Sequence, residues 1–205
     1  MQDNTKIKTL SDLMTASRPV QLVNLVTLYR IIAVPVLLLL VWMDRYDIFK
    51  WLLIASFLTD AIDGYLARKF KATSVLGAKL DSIGDDLTIL AAMVGLWVAR
   101  SAFIIREIIV FAIPLVLFFL QMLMAFVRYG KMTSFHTYLA KAAAILQGFF
   151  LCSMFLFDRP VYALFYATAV VTTIELIEEI IMVFLLPLWK ADVHGLYWAL
   201  KVKDG

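Results

Sequence analysis

The chain has 205 residues, of which 63% are hydrophobic and 17% charged, with a formal net charge of +3. Soluble domains run at roughly 45–50% apolar and about 25% charged residues, so this balance excludes a water-soluble domain and indicates a polytopic membrane protein. The basic residues fall between apolar segments rather than in one run, which excludes a nucleic-acid footprint and leaves membrane lipids as the surroundings.

The first twenty residues carry acids, amides and Arg18-Pro19, without a short apolar core followed by a small-residue cleavage site. No cleavable signal peptide is expected, and the first apolar run is read as an anchor. Within residues 9–20, Leu10, Leu13 and Met14 mix with Ser11, Asp12 and Ser17, a composition suited either to a short interfacial helix or to an unstructured tail.

A transmembrane helix needs about 20 mostly apolar residues. Six segments qualify: 22–42, 49–70, 76–98, 102–127, 138–157 and 162–188. They are separated by Asp44-Arg45-Tyr46-Asp47, a basic turn at 69–74, Arg100-Ser101, residues 130–134 and Asp158-Arg159-Pro160. Residues 191–203, with Leu196, Tyr197 and Trp198 beside Lys201 and Lys203, read as a surface-lying segment. The expected fold is all-α: one membrane domain over 1–205 with six transmembrane helices and short N-terminal and C-terminal interfacial segments. Cys152, in an apolar segment, has no second cysteine to pair with and is read as a packing residue.

Loop charges set the expected orientation. Lys6, Lys8, Arg18, Arg68, Lys69, Lys71, Arg128, Lys131, Lys190, Lys201 and Lys203 fall on one side of a six-span arrangement, against Arg45, Lys50, Arg100 and Arg159 on the other. Both termini and the turn after the second span are therefore expected in the cytoplasm.

That turn is flanked by Asp60-x-x-Asp63-Gly64-x-x-Ala67-Arg68 and Gly77-x-x-x-Asp81-x-x-x-Asp85. An ionisable residue at bilayer depth costs at least about 2.5–3.5 kcal/mol on insertion scales, so this cluster requires a compensating partner. At 3.6 residues per turn, each set forms one stripe of its helix, and a short connection makes the two helices antiparallel neighbours whose stripes can face each other. Hard oxygen ligands converging in this way suit Mg²⁺ or Mn²⁺, one or two per site. Gly64 and Gly77 leave room for a ligand, and Arg68 offers a fork for phosphate. The set predicts metal-assisted phosphoryl chemistry.

The pattern D-x2-D-G-x2-A-R-x8-G-x3-D-x3-D resembles that of the CDP-alcohol phosphotransferase family at every fixed position: Asp60, Asp63, Gly64, Ala67, Arg68, Gly77, Asp81 and Asp85. The resemblance implies six spans, a cytoplasm-facing site and a homodimer. It also implies attack by an acceptor alcohol on the lipid-linked phosphate of a CDP-linked donor, usually CDP-diacylglycerol, with loss of CMP. On that resemblance Asp60, Asp63 and Asp81 are metal ligands, while Asp85 is a ligand, the general base, or both. Two metals about 3.5–4 Å apart would clamp the pyrophosphate. Gly64 and Arg68 would contact the nucleotide diphosphate, with Ala67 and Gly77 in the same motif. Asn24 and Thr27, in Asn24-Leu25-Val26-Thr27-Leu28-Tyr29-Arg30, resemble a further family segment.

Competing readings are structural ion pairs, an intramembrane prenyltransferase of the UbiA type, and a carboxylate-lined cation transporter. The prenyltransferases have more spans and lack the Gly64-x-x-Ala67-Arg68 grouping; the transporter leaves the glycines and Arg68 unexplained.

For the acceptor, Arg128, Lys131, His136 and Lys141 can form a basic pocket that favours an alcohol bearing its own phosphate, such as glycerol 3-phosphate or an inositol phosphate. The positive-inside bias alone also accounts for Arg128 and Lys131. Ile104-Ile105-Arg106-Glu107-Ile108 and the lysine six residues before Gln147 resemble phosphatidylglycerophosphate synthases. Those enzymes usually read Asp-Pro-x-x-Asp-Lys where this chain has Asp81-Ser82-Ile83-Gly84-Asp85-Asp86, so serine, free inositol and CDP-headgroup transfer to a lipid alcohol stay open. Asp86 is off the metal stripe and is expected to pair with a basic neighbour, and Arg106 with Glu107 or another helix. Glu175, Glu178 and Glu179 form one acidic face of the last span and are expected to meet basic residues, water or a partner chain, as structural ion pairs or as a second metal site.

Overall fold

Within lipid, a single chain satisfies its backbone as helices or as a closed barrel, and every ordered element among the described residues is an α-helix. The computed structural model describes residues 18–70, 75–131, 135, 137–188 and 193–203, with side chains except at 18–27, 60, 61, 63–70, 75–83, 86, 202 and 203. The helices are α1 (Arg18–Trp42), α2 (Tyr46–Phe70), α3 (Val75–Ala99), α4 (Ser101–Arg106), α5 (Ile108–Tyr129), α6 (Tyr138–Leu156), α7 (Tyr162–Leu185) and α8 (Leu196–Lys203). Among the described residues, α5 and α6 are the two helices that by length and composition alone can cross a membrane.

The break after α1 has a defined local cause. Arg45 N–H donates to the Leu40 carbonyl at 2.9 Å and Asp44 N–H to that of Val41 at 3.1 Å, with Asp44 at φ 54°. This is a Schellman ending, with an aspartate in the left-handed position that glycine usually takes. Arg45 then donates to Asp47 through Nε and Nη2, each at 3.2 Å, and holds that carboxyl below the usual carboxylate range.

The expected span over 102–127 is instead broken at Glu107, which separates α4 from α5. Arg106 Nε sits 3.5 Å from Glu107 Oε1 and its guanidinium lies over the Tyr162 ring, while Tyr166 donates to Glu107 Oε2 at 3.1 Å. The expected pairing of Arg106 with Glu107 is therefore present, and these polar ties to α7 coincide with the interruption.

The helices cluster into two units divided between Ala99 and Arg100. In the first, α1 is the principal partner of both α2 and α3, which touch each other only over a short stretch. The apolar positions of α1, Ala33, Val34, Leu37 and Val41, are buried together with Phe49 and Leu53 of α2 and Ala91, Ala92 and Leu96 of α3. Apolar burial gives close helix packing a driving force that like-charged stripes lack.

In the second unit α7 is central, with α5, α6 and α8 packed on it. Phe165 of α7 is ringed by Phe103, Phe111 and Phe150 at centroid distances of 5.1, 5.0 and 5.4 Å. Toward the other end, Ala125, Phe135, Met182, Val183, Leu186, Val193 and Ala199 form a second core. Tyr129 closes that end by donating to the Val183 and Leu186 carbonyls at 2.9 and 2.8 Å. Ser56, Thr59, Thr88 and Thr168 each return a hydroxyl to a carbonyl one turn earlier, which satisfies them inside their own helices. Large apolar residues such as Ile109, Val116, Leu123, Val127 and Phe149 point outward, as on a lipid-facing surface.

Candidate active site

Asp60, Asp63, Gly64, Ala67 and Arg68 occupy the last three turns of α2, and Gly77, Asp81 and Asp85 the first three turns of α3. Both helices run unbroken through these positions, so the i, i+3 and i, i+4 spacings are realised as stripes. The two stripes flank the same connection and so lie at one end of the first unit. The side chains of Asp60, Asp63, Gly64, Ala67, Arg68, Gly77 and Asp81 lie outside the described residues, as do those of Asn24 and Thr27 in the first half of α1.

Asp85 is the member whose side chain is described. Its Oδ1 accepts a hydrogen bond from Nη1 of Arg30, near the middle of α1. Arg30 is 1% exposed and Asp85 39%, so the pair has a closed cationic end and an open carboxylate end. Removing Asp85 would leave the enclosed Arg30 charge without this anion, which is costly because Arg30 itself is buried. Arg30 entered the sequence reading only as the end of the Asn24–Arg30 segment. Its signal was being the sole charge in the 22–42 run, which an intramembrane charge makes a candidate functional residue.

The second unit holds the basic candidates. Arg128 ends α5 beside the Tyr129 ring, Lys131 follows it, and Lys141 in the first turns of α6 has its ammonium 5.5 Å from the Tyr138 ring centroid. All three are exposed and lie at the end of the unit where α5 finishes and α6 starts. His136 lies outside the described residues. The start of α6 is held by Thr137, whose hydroxyl accepts from Ala140 N–H at 2.9 Å, and by Tyr138 N–H, which donates to the His194 carbonyl at 3.2 Å.

Two acids of α7 accept hydrogen bonds from neutral donors. Gln121 of α5 donates to Glu179 at 2.8 Å, and Leu196 N–H at the start of α8 donates to Glu178 Oε1 at 3.0 Å. Glu175 is buried on the same helix. Among the described residues no group of three or more histidine, cysteine, aspartate or glutamate side chains converges as a metal site, so the α7 carboxylates do not form one there.

A family model described as CDP-alcohol phosphatidyltransferase matches residues 20–191, which takes in α1 to α7 and every motif position. The chain belongs to the CDP-alcohol phosphatidyltransferase family. Membership, with the two span-length apolar helices, makes it an integral membrane protein of a family generally dependent on divalent metal. The chain is 32% identical over 106 residues to a CDP-diacylglycerol--glycerol-3-phosphate 3-phosphatidyltransferase of Pseudomonas fluorescens, covering 44% of this chain and 52% of that one. A protein of the same name from Haemophilus influenzae is 32% identical over 99 residues, 42% of this chain and 54% of that one. The chloroplastic/mitochondrial form from Arabidopsis thaliana is 35% identical over 85 residues, 38% of this chain and 27% of that one. The chain thus spans about half the length of the bacterial relatives it matches and about a quarter of the plant one. No solved structure matches it.

Proposed function

We propose that this protein transfers the phosphatidyl group of CDP-diacylglycerol to the hydroxyl of glycerol 3-phosphate and releases CMP, a step of phospholipid biosynthesis. The observation that carries the reading is the complete D-x2-D-G-x2-A-R-x8-G-x3-D-x3-D pattern on two unbroken helices flanking one turn, inside a family match that runs across both units. The relatives, which act on glycerol 3-phosphate by name, favour it as acceptor over serine or free inositol.

The carboxylates of Asp60, Asp63, Asp81 and Asp85 are hard oxygen donors on stripes at one end of a unit, and the one described in full keeps an accessible carboxylate end. That donor set fits Mg²⁺ or Mn²⁺, two per site. When bound, the cations supply charge neutralisation at the pyrophosphate. Asp85 accepts the proton of the acceptor hydroxyl as the new oxygen–phosphorus bond forms, and the bond from phosphorus to CMP breaks with its electron pair on CMP. Gly64, Ala67, Arg68 and Gly77, with Asn24 and Thr27, bind the nucleotide diphosphate. Arg128, Lys131, His136 and Lys141 hold the phosphate of the acceptor by charge-assisted hydrogen bonds.

The same reading makes residues 1–205 one catalytic domain of six spans, homodimeric, with the site and both termini facing the cytoplasm. The loop charges support the orientation.

The test is an acceptor screen on purified protein with CDP-diacylglycerol and Mg²⁺ or Mn²⁺, following CMP release with glycerol 3-phosphate, inositol phosphate, serine and free inositol. Glycerol 3-phosphate is expected to be the best acceptor. A higher rate with serine or free inositol overturns the acceptor assignment, and absence of CMP release with every acceptor overturns the activity.

A further inference from the structure

A guanidinium near the middle of a helix in a membrane protein demands an anion. Arg30 meets one in Asp85, 55 residues away on α3. The two helices also come near one another beside this pair. Gly84 precedes Asp85, and a Cβ placed on it would lie 3.9 Å from both Cβ and Cζ of Arg30 and 3.8 Å from Cγ1 of Ile31. Arg30 therefore lies close to α3 at Gly84, where an added Cβ would fit in ordinary van der Waals contact. Thr88 returns its hydroxyl to the Gly84 carbonyl at 2.7 Å and remains buried, so this turn of α3 does not rely on Arg30 for its own polar groups. The arginine is enclosed while 39% of the Asp85 side chain stays accessible.

We propose that Arg30 is a positioning residue for Asp85. It fixes and charge-balances this carboxylate before a cation arrives, and its positive charge then weakens the site's hold on the cation. This gives α1, beyond the nucleotide contacts proposed for Asn24 and Thr27, a residue that acts on the aspartate motif itself. The inference rests on the reading of Asp60, Asp63, Asp81 and Asp85 as metal ligands. Its physical basis is that a carboxylate shared between a guanidinium and a divalent ion attracts the ion less than one left uncompensated.

The experiment is a titration of the purified protein with Mn²⁺, reading free Mn²⁺ by electron paramagnetic resonance, alongside thermal unfolding with and without Mn²⁺ and turnover at saturating Mn²⁺. Arg30→Met is expected to tighten Mn²⁺ binding by about tenfold or more, lower the Tm of the metal-free protein, enlarge the Mn²⁺-induced rise in Tm, and reduce kcat with little change in donor KM. Arg30→Lys, which keeps the charge and loses the fork, should leave the Mn²⁺ Kd within about threefold of wild type while kcat falls. Unchanged or weaker Mn²⁺ binding in Arg30→Met overturns the proposal, because a purely structural arginine would lower Tm equally with and without the ion.

Where Arg30→Met alone does not fold, Arg30→Met/Asp85→Asn removes both charges. Recovery of folded protein then supports the pairing, and failure to recover overturns it. Asp63→Asn and Asp81→Asn separate the two readings: if neither weakens Mn²⁺ binding, the ligand assignment fails, whereas weakening there with no effect of Arg30 rejects the positioning role alone.

Discussion

Gln121 on α5 donates a 2.8 Å hydrogen bond to the Glu179 carboxylate on α7, with both residues buried. A carboxylate inside a helix bundle needs donors more than it needs a formal counter-charge, and an amide on the neighbouring helix supplies one. Gln121→Leu, close in size and without the donor, should lower stability by about 1.5–3 kcal/mol, the range for a hydrogen bond to a charged group. Thermal unfolding in detergent measures this. An unchanged Tm would show that the bond contributes nothing to holding α5 on α7.

Gly95 marks where the first three helices converge. A Cβ there would lie 2.8 Å from Cζ of Phe49 on α2 and 3.2 Å from Cγ2 of Val41 on α1, and both neighbours are buried. Gly95→Ala should therefore destabilise the protein by about 1–3 kcal/mol through overpacking, despite the better helix propensity of alanine. Phe49→Leu combined with it should recover part of the loss. Additive losses in the double variant would mean that steric conflict at Phe49 is not the cause.

Metal dependence follows from the aspartate stripes of α2 and α3. Chelation should abolish CMP release and Mg²⁺ or Mn²⁺ should restore it. Activity that persists in excess chelator would sink the two-metal reading. Asp85→Asn keeps the size of the side chain and removes the proposed base, so donor binding should survive better than turnover. Turnover at the wild-type rate in that variant would show the base assignment to be wrong.

Lys141 tests the acceptor pocket. It is exposed at the start of α6, in a segment pinned by the Thr137 cap. If it binds the phosphate of glycerol 3-phosphate, Lys141→Ala should raise the acceptor KM about 10- to 150-fold with little change in donor KM, since such a bond is worth roughly 1.5–3 kcal/mol. Equal KM values for the variant and wild type would return Lys141 to the topology signals.

Much of the molecule was legible along the chain because its causes are local. Apolar runs placed five of the six expected spans within about four residues of the helix ends seen in α1, α2, α3, α6 and α7, since length and composition decide what forms a helix in lipid. The aspartate pattern was legible for the same reason, because i, i+3 and i, i+4 spacing is set by the geometry of a single helix. The Arg106–Glu107 pairing was legible from adjacency.

What required the tertiary structure was the choice among distant partners. That α1 packs along both α2 and α3 is one such choice, made by the apolar residues it buries against each of them. The acids of α7 announced a need for partners without naming them, and among those partners are Gln121 for Glu179 and the backbone of Leu196 for Glu178, neutral groups that charge patterning does not register. The break at Glu107 arises where Arg106 and Glu107 meet Tyr162 and Tyr166 of another helix, which no local signal encodes. Arg30 belongs with these. Its charge was visible as an anomaly in an apolar run, but that it closes on Asp85 depends on how α1 backs onto α3 at Gly84, a consequence of packing between helices far apart in the chain.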